Sequence, residues 1–594
     1  MRCRRSLLAS VALLVLGVTG CATVPSGGRV ISGRPAESAE QADDPYVRLI
    51  PVRPKAEWGP GQLVAGFLAA SAGFDDGHKV AREYLAGGAS SWNPGPRPSV
   101  TVFDDRPRLE VAEQGTGRAV VRASGSRLGS IGADGQYLAD PDAVEVTFEL
   151  TKTASGPWRI TGLPDAAHNG LLLSKSDVER AFRTVNLYFF AAGRPALVPN
   201  GVFLPLVNRQ NLPAQLVRAL LEGPTSWLGP AVESAFPSGT RLRRIGLEND
   251  VIVVDLTAEA RGGSAERMSA QLSWTLRQLS ELGRWKLQID GRTVTPNGSG
   301  SVQAVRSWSA NAPDGPGSDE GRGDQAAYVV GSSGHLSRLA GDQPQPIDSG
   351  EQRLARPAVS GDFQEVAGLS SSGDRVLAGP LTATGAQVRA LLTRRDDRTR
   401  FTAPHFDRDG TLWTVETSRD RSWLWMRPRG QAPVRVSQWG LAGREILAFR
   451  LSRDGARAAV IARVDGSAQV QLGRIVRDKG GGTEAGSFLP VSSELVDAID
   501  LSWRDYGTLA VLGRKGNDTR VLPYLIPVSG GAISSLGVGA LGVPRTIAAA
   551  PGAPVLIGTR DNGSGGQVCR QRAPRDLLSE WICPIPGSDP TYPH

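Results

Sequence analysis

The chain has 594 residues, 40% of them hydrophobic and 21% charged, which excludes a disordered protein and one with many membrane spans. At about 100–200 residues per domain, this length predicts three or four domains. The 67 basic and 59 acidic residues give a net charge of +8, which is modest for this length and does not indicate nucleic-acid binding.

The N-terminus has the pattern of an export signal. Arg2, Arg4 and Arg5 precede an apolar stretch, Leu7–Val18, and small residues then lead to Cys21. About twelve apolar residues are too few to span the ~30 Å hydrocarbon core of a membrane. The pattern resembles a bacterial lipobox, in which the cysteine sulfur receives diacylglycerol and the chain is cleaved just before it.

We therefore predict a lipoprotein signal peptide at residues 1–20 and lipidation at Cys21, which would hold the protein on the membrane by at least two acyl chains. The alternative is an ordinary secretory signal with an incidental cysteine. Residues 21–46 are small, polar and rich in Pro and Gly, so they predict a flexible tether with a reach of ~25–30 Å.

The remaining cysteines predict one disulfide. Cys3 leaves with the signal peptide and Cys21 carries the lipid, so Cys569 and Cys583 remain in an exported compartment that permits disulfides. A zinc site would need two more ligands, and no His lies within the hundred residues before Cys569.

Residues 47–165 predict an α+β domain shaped as a cone. Apolar residues at helical spacing predict helices in Gly61–Phe74 and His78–Leu85. Strand-like runs follow at Ser99–Phe103, Ala119–Arg122 and Val144–Leu150.

Such a cone can hold a pocket with acid–base chemistry. The candidate polar groups are Asp75, Asp76, His78 and Tyr84. The sequence Asp75-Asp76-Gly77 is more typical of a turn between two helices, and this interpretation is favoured.

Residues 171–294 predict an α/β domain with alternating strands and helices and no evident catalytic pair. The predicted elements are a strand at Leu187–Phe190, a helix from Pro213, a strand at Val251–Leu256, a helix over Met268–Leu279 and a strand at Leu287–Ile289. Residues 295–325 predict a linker, exposed at its centre, 311–324, which is rich in Gly, Pro and Asp.

Residues 326–590 contain a repeated motif of an apolar residue, a polar residue, any residue, Asp or Ser, and Gly, followed by an apolar strand. The copies are Leu369–Gly379, Phe406–Val415, Leu451–Ile461, Leu501–Leu512 and Ala549–Ile557, with turn glycines at Gly373, Gly410, Gly455, Gly507 and Gly552. The glycines are 37, 45, 52 and 45 residues apart, and hairpin turns that need a positive φ explain them. A period near 45 residues predicts an all-β propeller of about six blades, whereas a long β-sandwich does not explain the period.

Two short motifs imitate ligand sites. Gly537–Gly542 matches a dinucleotide-binding pattern, but Pro544 and the all-β context exclude the helix that such a site needs. Asp407, Asp409 and Glu416 match three positions of a calcium loop, but His405 stands where the first ligand should be, and turn chemistry explains the aspartates. We expect no cofactor and no metal.

Three tryptophans admit two interpretations. Trp413, Trp423 and Trp425 could form a stacking surface for a sugar or a peptide, but the cores of propeller blades use Trp in the same way, and packing is favoured. The chain contains no H-E-x-x-H, no G-x-S-x-G and no G-x-x-x-x-G-K-[ST] motif.

The order of several motifs resembles the LpqB lipoproteins of actinobacteria. Matching segments are Cys21–Pro25 at the start, then Phe67–Ser71, Asp76, Val80–Leu85 and Trp92 in the N-terminal domain, and Asn186–Phe189, Leu220–Pro224, Phe236-Pro237 and Ala270–Leu276 in the second domain. The resemblance implies an NTF2-like N-terminal domain, a GerMN domain of the kind known from spore-germination proteins, and a propeller.

The resemblance also implies a function. It implies an accessory lipoprotein, not an enzyme, on the outer face of the cell membrane. Its partner would be the extracellular domain of the sensor histidine kinase in an MtrA/MtrB-type two-component system, acting in cell-envelope and cell-division homeostasis.

The alternative function is a cell-wall glycan or muropeptide binding protein or hydrolase. A glycan hydrolase would need two carboxylates ~5–9 Å apart at one mouth of the protein.

Overall fold

The computed structural model describes residues 51–74, 77–154, 156–206, 211–279, 283–315, 326–347, 353–381, 388–478, 480–516, 518–537, 542–560, 566–572 and 581–594. The predicted signal peptide and tether, including Cys21, lie outside these residues, as do Asp75 and Asp76. The described residues form an N-terminal α+β domain, a second α/β domain and a propeller, so the predicted three-domain fold is confirmed.

The N-terminal domain is a six-stranded sheet with short helices. Its elements are α1 (Pro60–Ser71), α2 (Lys79–Arg82), β1 (Ser99–Phe103), β2 (Arg108–Gln114), β3 (Arg118–Ile131), β4 (Tyr137–Lys152), β5 (Trp158–Gly162), α3 (Asp165–His168), β6 (Gly170–Ser174) and α4 (Lys175–Ala181). The strand order is β5-β4-β3-β1-β6, and β2 pairs with β3. Helix α1 begins at Pro60, whose fixed φ suits a first helical turn, and buries Leu63, Val64 and Phe67 in the core.

The second predicted helix of this domain is shorter than expected. Only α2 is helical, because the chain after it pairs with the edge of the sheet: Ile160 N–H donates to Tyr84 O at 3.0 Å, and Ala86 N–H donates to Ile160 O at 2.9 Å. The sheet hydrogen bonds replace the helical ones that the spacing of apolar residues favours.

Strand β6 packs with the first domain. It pairs in parallel with β1, and its residues Leu171, Leu172 and Leu173 are buried in that core. The sequence analysis assigned residues 171–294 to the second domain. In the structure, β6 belongs to the first domain, because it pairs with β1 and buries its leucines in that core, and α4 follows it there.

The second domain contains two sheets and two helices. Its elements are β7 (Phe182–Ala191), β8 (Leu197–Pro205), α5 (Leu212–Glu222), β9 (Val232–Glu233), β10 (Leu242–Glu248), β11 (Val251–Leu256), α6 (Ala265–Leu276), β12 (Arg284–Ile289), β13 (Arg292–Val294) and β14 (Val302–Ala304). One sheet has the order β8-β7-β9, and the other has the order β10-β11-β12-β13 with β14 paired to β12. Helix α6 joins the parallel strands β11 and β12, as such a crossover requires.

Part of the predicted linker is folded. Strand β14 extends the second sheet, and Ala312 is fully buried beside Tyr188 and Trp274. The prediction of an exposed segment from residue 311 is therefore wrong for 311–315, which are buried or half-buried, because Ala312 packs against residues of two domains. Residues 316–325 lie outside the described part of the chain.

In the described part of the propeller region, the strands form six sheets. The strands are β15 (Tyr328–Val330), β16 (Leu336–Ala340), β17 (Gln343–Pro346), β18 (Leu354–Val359), β19 (Glu365–Ser370), β20 (Arg375–Pro380), β21 (Arg389–Thr393), β22 (Thr399–Phe401), β23 (His405–Phe406), β24 (Leu412–Ser418), β25 (Arg421–Arg427), β26 (Val434–Arg435), β27 (Gln438–Trp439), β28 (Ile446–Leu451), β29 (Arg457–Val464), β30 (Ser467–Arg477), β31 (Thr483–Pro490), β32 (Leu495–Asp505), β33 (Thr508–Lys515), β34 (Leu522–Pro527), β35 (Ser534–Ser535), β36 (Val543–Ala548), β37 (Leu556–Arg560), β38 (Gln567–Gln571), β39 (Trp581–Pro586) and β40 (Ser588–Thr591). Strand β40 pairs with β15, so the last strand completes the first sheet and closes the ring.

The repeated motif forms the turns between consecutive strands of a blade. Gly373, Gly410, Gly455 and Gly552 have φ values of 69–76°, as the hairpin interpretation predicts. Gly507 does not have a positive φ. The turn there is held by the Asp505 side chain, whose Oδ1 accepts the Gly507 N–H at 2.8 Å.

The last blade carries the predicted disulfide. Cys569 on β38 and Cys583 on β39 are bonded, and they enclose a loop with a sequence separation of 14. We expect Cys583→Ser to lower the free energy of unfolding by about 3 kcal/mol, because the unfolded chain gains loop entropy. Denaturant unfolding of both forms measures this loss. Two free thiols in the intact mass of the exported protein would contradict the pairing.

Polar contacts join the three domains. Lys175 Nζ in the N-terminal domain lies 3.2 Å from Glu494 Oε1 in the propeller. In the second domain, Trp227 Nε1 donates to Ser487 O at 2.6 Å, and Trp227 O accepts from Arg474 Nη1 at 2.7 Å. The described parts of the three domains therefore pack as one body.

A buried carboxyl group lies where the second domain meets the propeller. Asp314 Oδ2 accepts the Tyr506 N–H at 3.0 Å. Burial and the nearby Asp505, with a smaller effect of Asp454, raise the pKa of Asp314 from 3.8 to about 7, although Arg453 opposes them. Between pH 3.8 and about 7, Asp314 keeps its proton in the folded chain but has lost it in the unfolded chain, so rising pH favours unfolding.

We expect Asp314→Asn to remove this contribution. In the wild type, Asp314 should make the free energy of unfolding decrease as pH rises from about 4 to about 7, and the variant should show a smaller decrease. Unfolding curves across this pH range measure it. Asp420→Asn at an exposed turn is the control, and identical pH profiles for Asp314→Asn and the wild type would contradict the prediction.

Candidate binding site at the propeller axis

The innermost strands of the propeller surround a cavity at its axis. It contains about 540 Å³ of empty space, part of it open to solvent. Each of the six sheets contributes a residue to its lining: Arg356 from β18, His405 from β23, Arg450 from β28, Asp500 from β32, Ile547 from β36 and Asp589 from β40.

One arginine holds both acidic side chains of the cavity. Arg356 Nη1 donates to Asp500 Oδ2 at 3.0 Å, and the Arg356 N–H donates to Asp589 Oδ2 at 3.2 Å. Burial alone would lower the pKa of Arg356, but Asp500 and Asp589 raise it overall. Asp500 Oδ2 also accepts the Ile547 N–H at 3.0 Å. These three charged residues form a structural network that ties three blades together.

Two further arginines point their guanidinium groups at backbone carbonyls. Arg450 Nη1 donates to Phe449 O at 2.9 Å and to Ala403 O at 3.2 Å. Arg453 Nη2 donates to Pro593 O at 2.7 Å. Among the described residues, neither guanidinium group lies within 4 Å of a carboxylate. These two positive charges are therefore less compensated than that of Arg356.

Two histidines lie against these arginines. The ring centroids of His405 and His594 are 4.1 Å apart. Burial, then Arg450 and Arg453, hold the pKa of His405 well below its usual value. Burial, then His405 and Arg453, do the same for His594. Both rings are consequently neutral at pH 7.

The arrangement suits recognition rather than hydrolysis. Asp500 is ion-paired with the Arg356 guanidinium and Asp589 accepts the Arg356 backbone N–H, so both carboxylates are engaged in structural contacts. Searching the described residues for three or more His, Cys, Asp or Glu side chains placed to hold a metal ion finds none. The arginines can donate hydrogen bonds to a bound group, and Nε2 of the neutral His405 can accept one.

The candidate polar groups of the N-terminal domain are not brought together. His78 is buried between the rings of Phe74 and Trp92, with centroids 4.7 and 5.6 Å away, and burial lowers its pKa to about 4. Tyr84 donates its hydroxyl to Val52 O at 2.6 Å, and burial raises its pKa to about 12. Both side chains belong to the packed core.

The two imitating motifs have local structural roles. Asp407 Oδ1 accepts the N–H groups of Asp409 and Thr411 at 2.9 and 3.0 Å, which is the turn chemistry predicted from the sequence. The Gly537–Gly542 run, of which 538–541 lie outside the described residues, is followed by strand β36.

The three tryptophans pack as blade residues. Trp413 is 1% exposed, and its Nε1 donates to Asp407 Oδ2 at 3.1 Å. The Arg435 guanidinium lies 5.0 Å from the Trp423 ring centroid and 4.8 Å from that of Trp425. The packing interpretation is therefore favoured over a free stacking surface.

The sequence analysis proposed no residue of the axial cavity as a binding residue, and it named His405 only as a misfit in the calcium-loop pattern. A signal was present in the repeat itself: in Leu451–Gly455, Arg453 occupies the variable position of the motif, and Arg450 immediately precedes the motif. The innermost strand of a blade ends at this motif, so charged residues there were candidates for the axis.

Comparison with known proteins agrees with the three domains. The profile for the Lipoprotein LpqB beta-propeller domain matches residues 334–567, and the profile for the Lipoprotein LpqB N-terminal domain matches residues 53–179. A profile described as Sporulation and spore germination matches residues 186–295. None of the helices in the described part of the chain has the length and apolarity that a bilayer-spanning segment needs.

Relatives match over the full length. Lipoprotein LpqB of Thermobifida fusca is 34% identical and covers 98% of both chains, and Lipoprotein LpqB of Streptomyces avermitilis is 30% identical and covers 86% of both. Among solved structures, TolB from Acinetobacter baumannii matches with a TM-score of 0.34 and 15% identity over 45% of this chain and 65% of that chain. Full-length identity at this level, with three matching domain profiles in order, shows that the chain belongs to the LpqB lipoprotein family.

Proposed function

We propose that this protein is an accessory lipoprotein on the outer face of the cell membrane. There it binds the extracellular domain of a sensor histidine kinase of the MtrA/MtrB type and modulates its signalling in envelope and cell-division homeostasis. The family membership and the lipobox at Cys21 support the location. The matched families are lipoproteins and domains rather than enzymes, which favours a binding role.

The observation that carries the proposal is the packing of three binding-type domains into one body. Lys175–Glu494 and Trp227–Ser487 connect the propeller to both other domains. Arg194 in the β7–β8 turn also pairs with Asp409 in a propeller turn. A partner that binds one domain is therefore held in a fixed position relative to the other two. Such rigidity lowers the entropic cost of docking against a membrane protein.

Crosslinking from defined surface positions tests the proposal. A photoreactive phenylalanine analogue at Phe363, which is 46% exposed on the propeller, or at Leu247, which is 67% exposed on the second domain, samples the two candidate faces. Irradiation of intact cells should join the kinase to at least one of these positions. A probe at Val111 on the N-terminal domain is the control. Recovery of the kinase from neither candidate face would contradict the proposal.

A further inference from the structure

We infer that the axial cavity of the propeller binds a small oxyanion, a carboxylate or a phosphate group, through Arg450 and Arg453 and beside His405. This inference goes beyond the proposed function and does not depend on the kinase.

The charge distribution of the cavity is the first argument. Arg356, Asp500 and Asp589 compensate one another through direct contacts. Arg450 and Arg453 contact backbone carbonyls; Arg450 is also influenced by the more distant Asp500, and Arg453 by the more distant Asp314. Guanidinium groups donate several hydrogen bonds in a plane, so each retains capacity for a ligand oxygen.

The second argument is an unused polar atom. His405 lines the cavity and is 8% exposed, yet its Nε2 has no hydrogen-bond partner among the described residues. Leaving a buried nitrogen without a partner costs free energy, so a ligand that pairs with it would be favoured. The other ring nitrogen pairs with the Leu451 backbone, so Nε2 of the neutral ring is an acceptor. The O–H of a hydrogen phosphate group can donate to it, whereas a carboxylate would be held by the two arginines alone.

The field at the site selects the sign of the ligand. Burial lowers the pKa of His405 most, and Arg450 and Arg453 lower it further, so both arginines disfavour a positive charge there. A metal cation would meet the same repulsion, whereas an oxyanion would be attracted to both guanidinium groups and gain charge-assisted hydrogen bonds. The third basic side chain, Arg356, is paired with Asp500.

Calorimetry on the full-length lipidated protein in a neutral detergent tests the inference. Sodium phosphate and sodium acetate are titrated separately at constant ionic strength, and the one that binds more tightly identifies the oxyanion. Saturable binding of one anion per chain is expected. Arg453→Gln should weaken that binding at least tenfold, whereas Arg389→Gln at an exposed strand end should leave it unchanged.

A second measurement does not depend on the variant folding. In the wild type with ¹⁵N-labelled histidine, the anion should shift the ring resonances of His405 and leave those of the half-buried His335, which does not line the cavity, unchanged. If neither anion binds, the inference is overturned. It is also overturned if an anion binds but leaves the His405 resonances unchanged and binds Arg453→Gln as tightly as the wild type. A kinase that fails to crosslink would leave these outcomes unaffected.

Discussion

Arg457→Ala is expected to lower the free energy of unfolding of the propeller by about 3–5 kcal/mol. The side chains of Arg457 and Asp454 are 2% and 0% exposed and form an ion pair within the fourth sheet. Arg457 Nη2 also donates to Tyr506 O at 2.8 Å, and its guanidinium lies 5.2 Å from the Trp503 ring centroid in the next sheet. Removing the arginine leaves a buried carboxylate without its partner and loses a contact between two blades.

The same strand supplies the control. Arg463 also lies on β29 and pairs with Glu445, but these side chains are 41% and 35% exposed. Water screens such a pair, so Arg463→Ala should cost at most about 1 kcal/mol. Guanidinium chloride unfolding followed by tryptophan fluorescence compares the two variants. Equal losses would show that burial of the Arg457 pair contributes nothing to stability.

Cys21→Ser is expected to move the protein from the membrane fraction to the soluble exported fraction almost completely. The lipobox predicts a diacylglycerol group on the Cys21 sulfur, and serine has no sulfur to receive it. Two acyl chains hold a protein stably on a bilayer, whereas one holds it weakly and reversibly. Fractionation of cells followed by immunoblotting measures the change.

Cys3→Ser is the matched control for this experiment. Cys3 lies in the same leader but within the segment that is removed, so its replacement should leave the protein in the membrane fraction. If the Cys21→Ser protein stays with the membrane while its signal peptide is cleaved, another attachment must exist and the anchor prediction is wrong.

Much of the fold follows from local patterns in the sequence. The Asp/Ser–Gly motif at 37–52-residue spacing predicts the blades, because each copy is a hairpin turn that depends only on its own residues. The second domain's strand Val251–Leu256 and the helix that ends near Leu276 are equally local, since their apolar residues repeat with the period of each element.

The elements that escaped prediction depend on distant partners. Strand β8 contains Pro199 and Asn200, which argue against a strand, but its pairing with β7 overrides them. Strand β40 has no alternation of apolar and polar residues. It is a strand because its pairing with β15, which closes the ring, gives its backbone groups hydrogen-bond partners.

The same reasoning explains why the axial cavity was not predicted. Arg356 and Asp500 are 144 positions apart in sequence, and the closed ring of blades places Arg356 Nη1 3.0 Å from Asp500 Oδ2. Periodicity identifies which strand each residue belongs to, but it does not identify which charged side chains meet across the axis. The repeat marks Arg450 and Arg453 as residues near the axis, but no local pattern encodes the burial of His405 beside them.

Binding of the intact protein to the kinase tests the central claim most directly. The lipidated protein and the full-length kinase are placed together in nanodiscs, and their association is measured by fluorescence anisotropy. Purified cell-wall fragments are added as a competitor, and their own binding to the protein is measured separately. We predict saturable binding to the kinase that wall fragments do not compete away. Binding to wall fragments without any binding to the kinase would contradict the account and assign the protein to the cell wall.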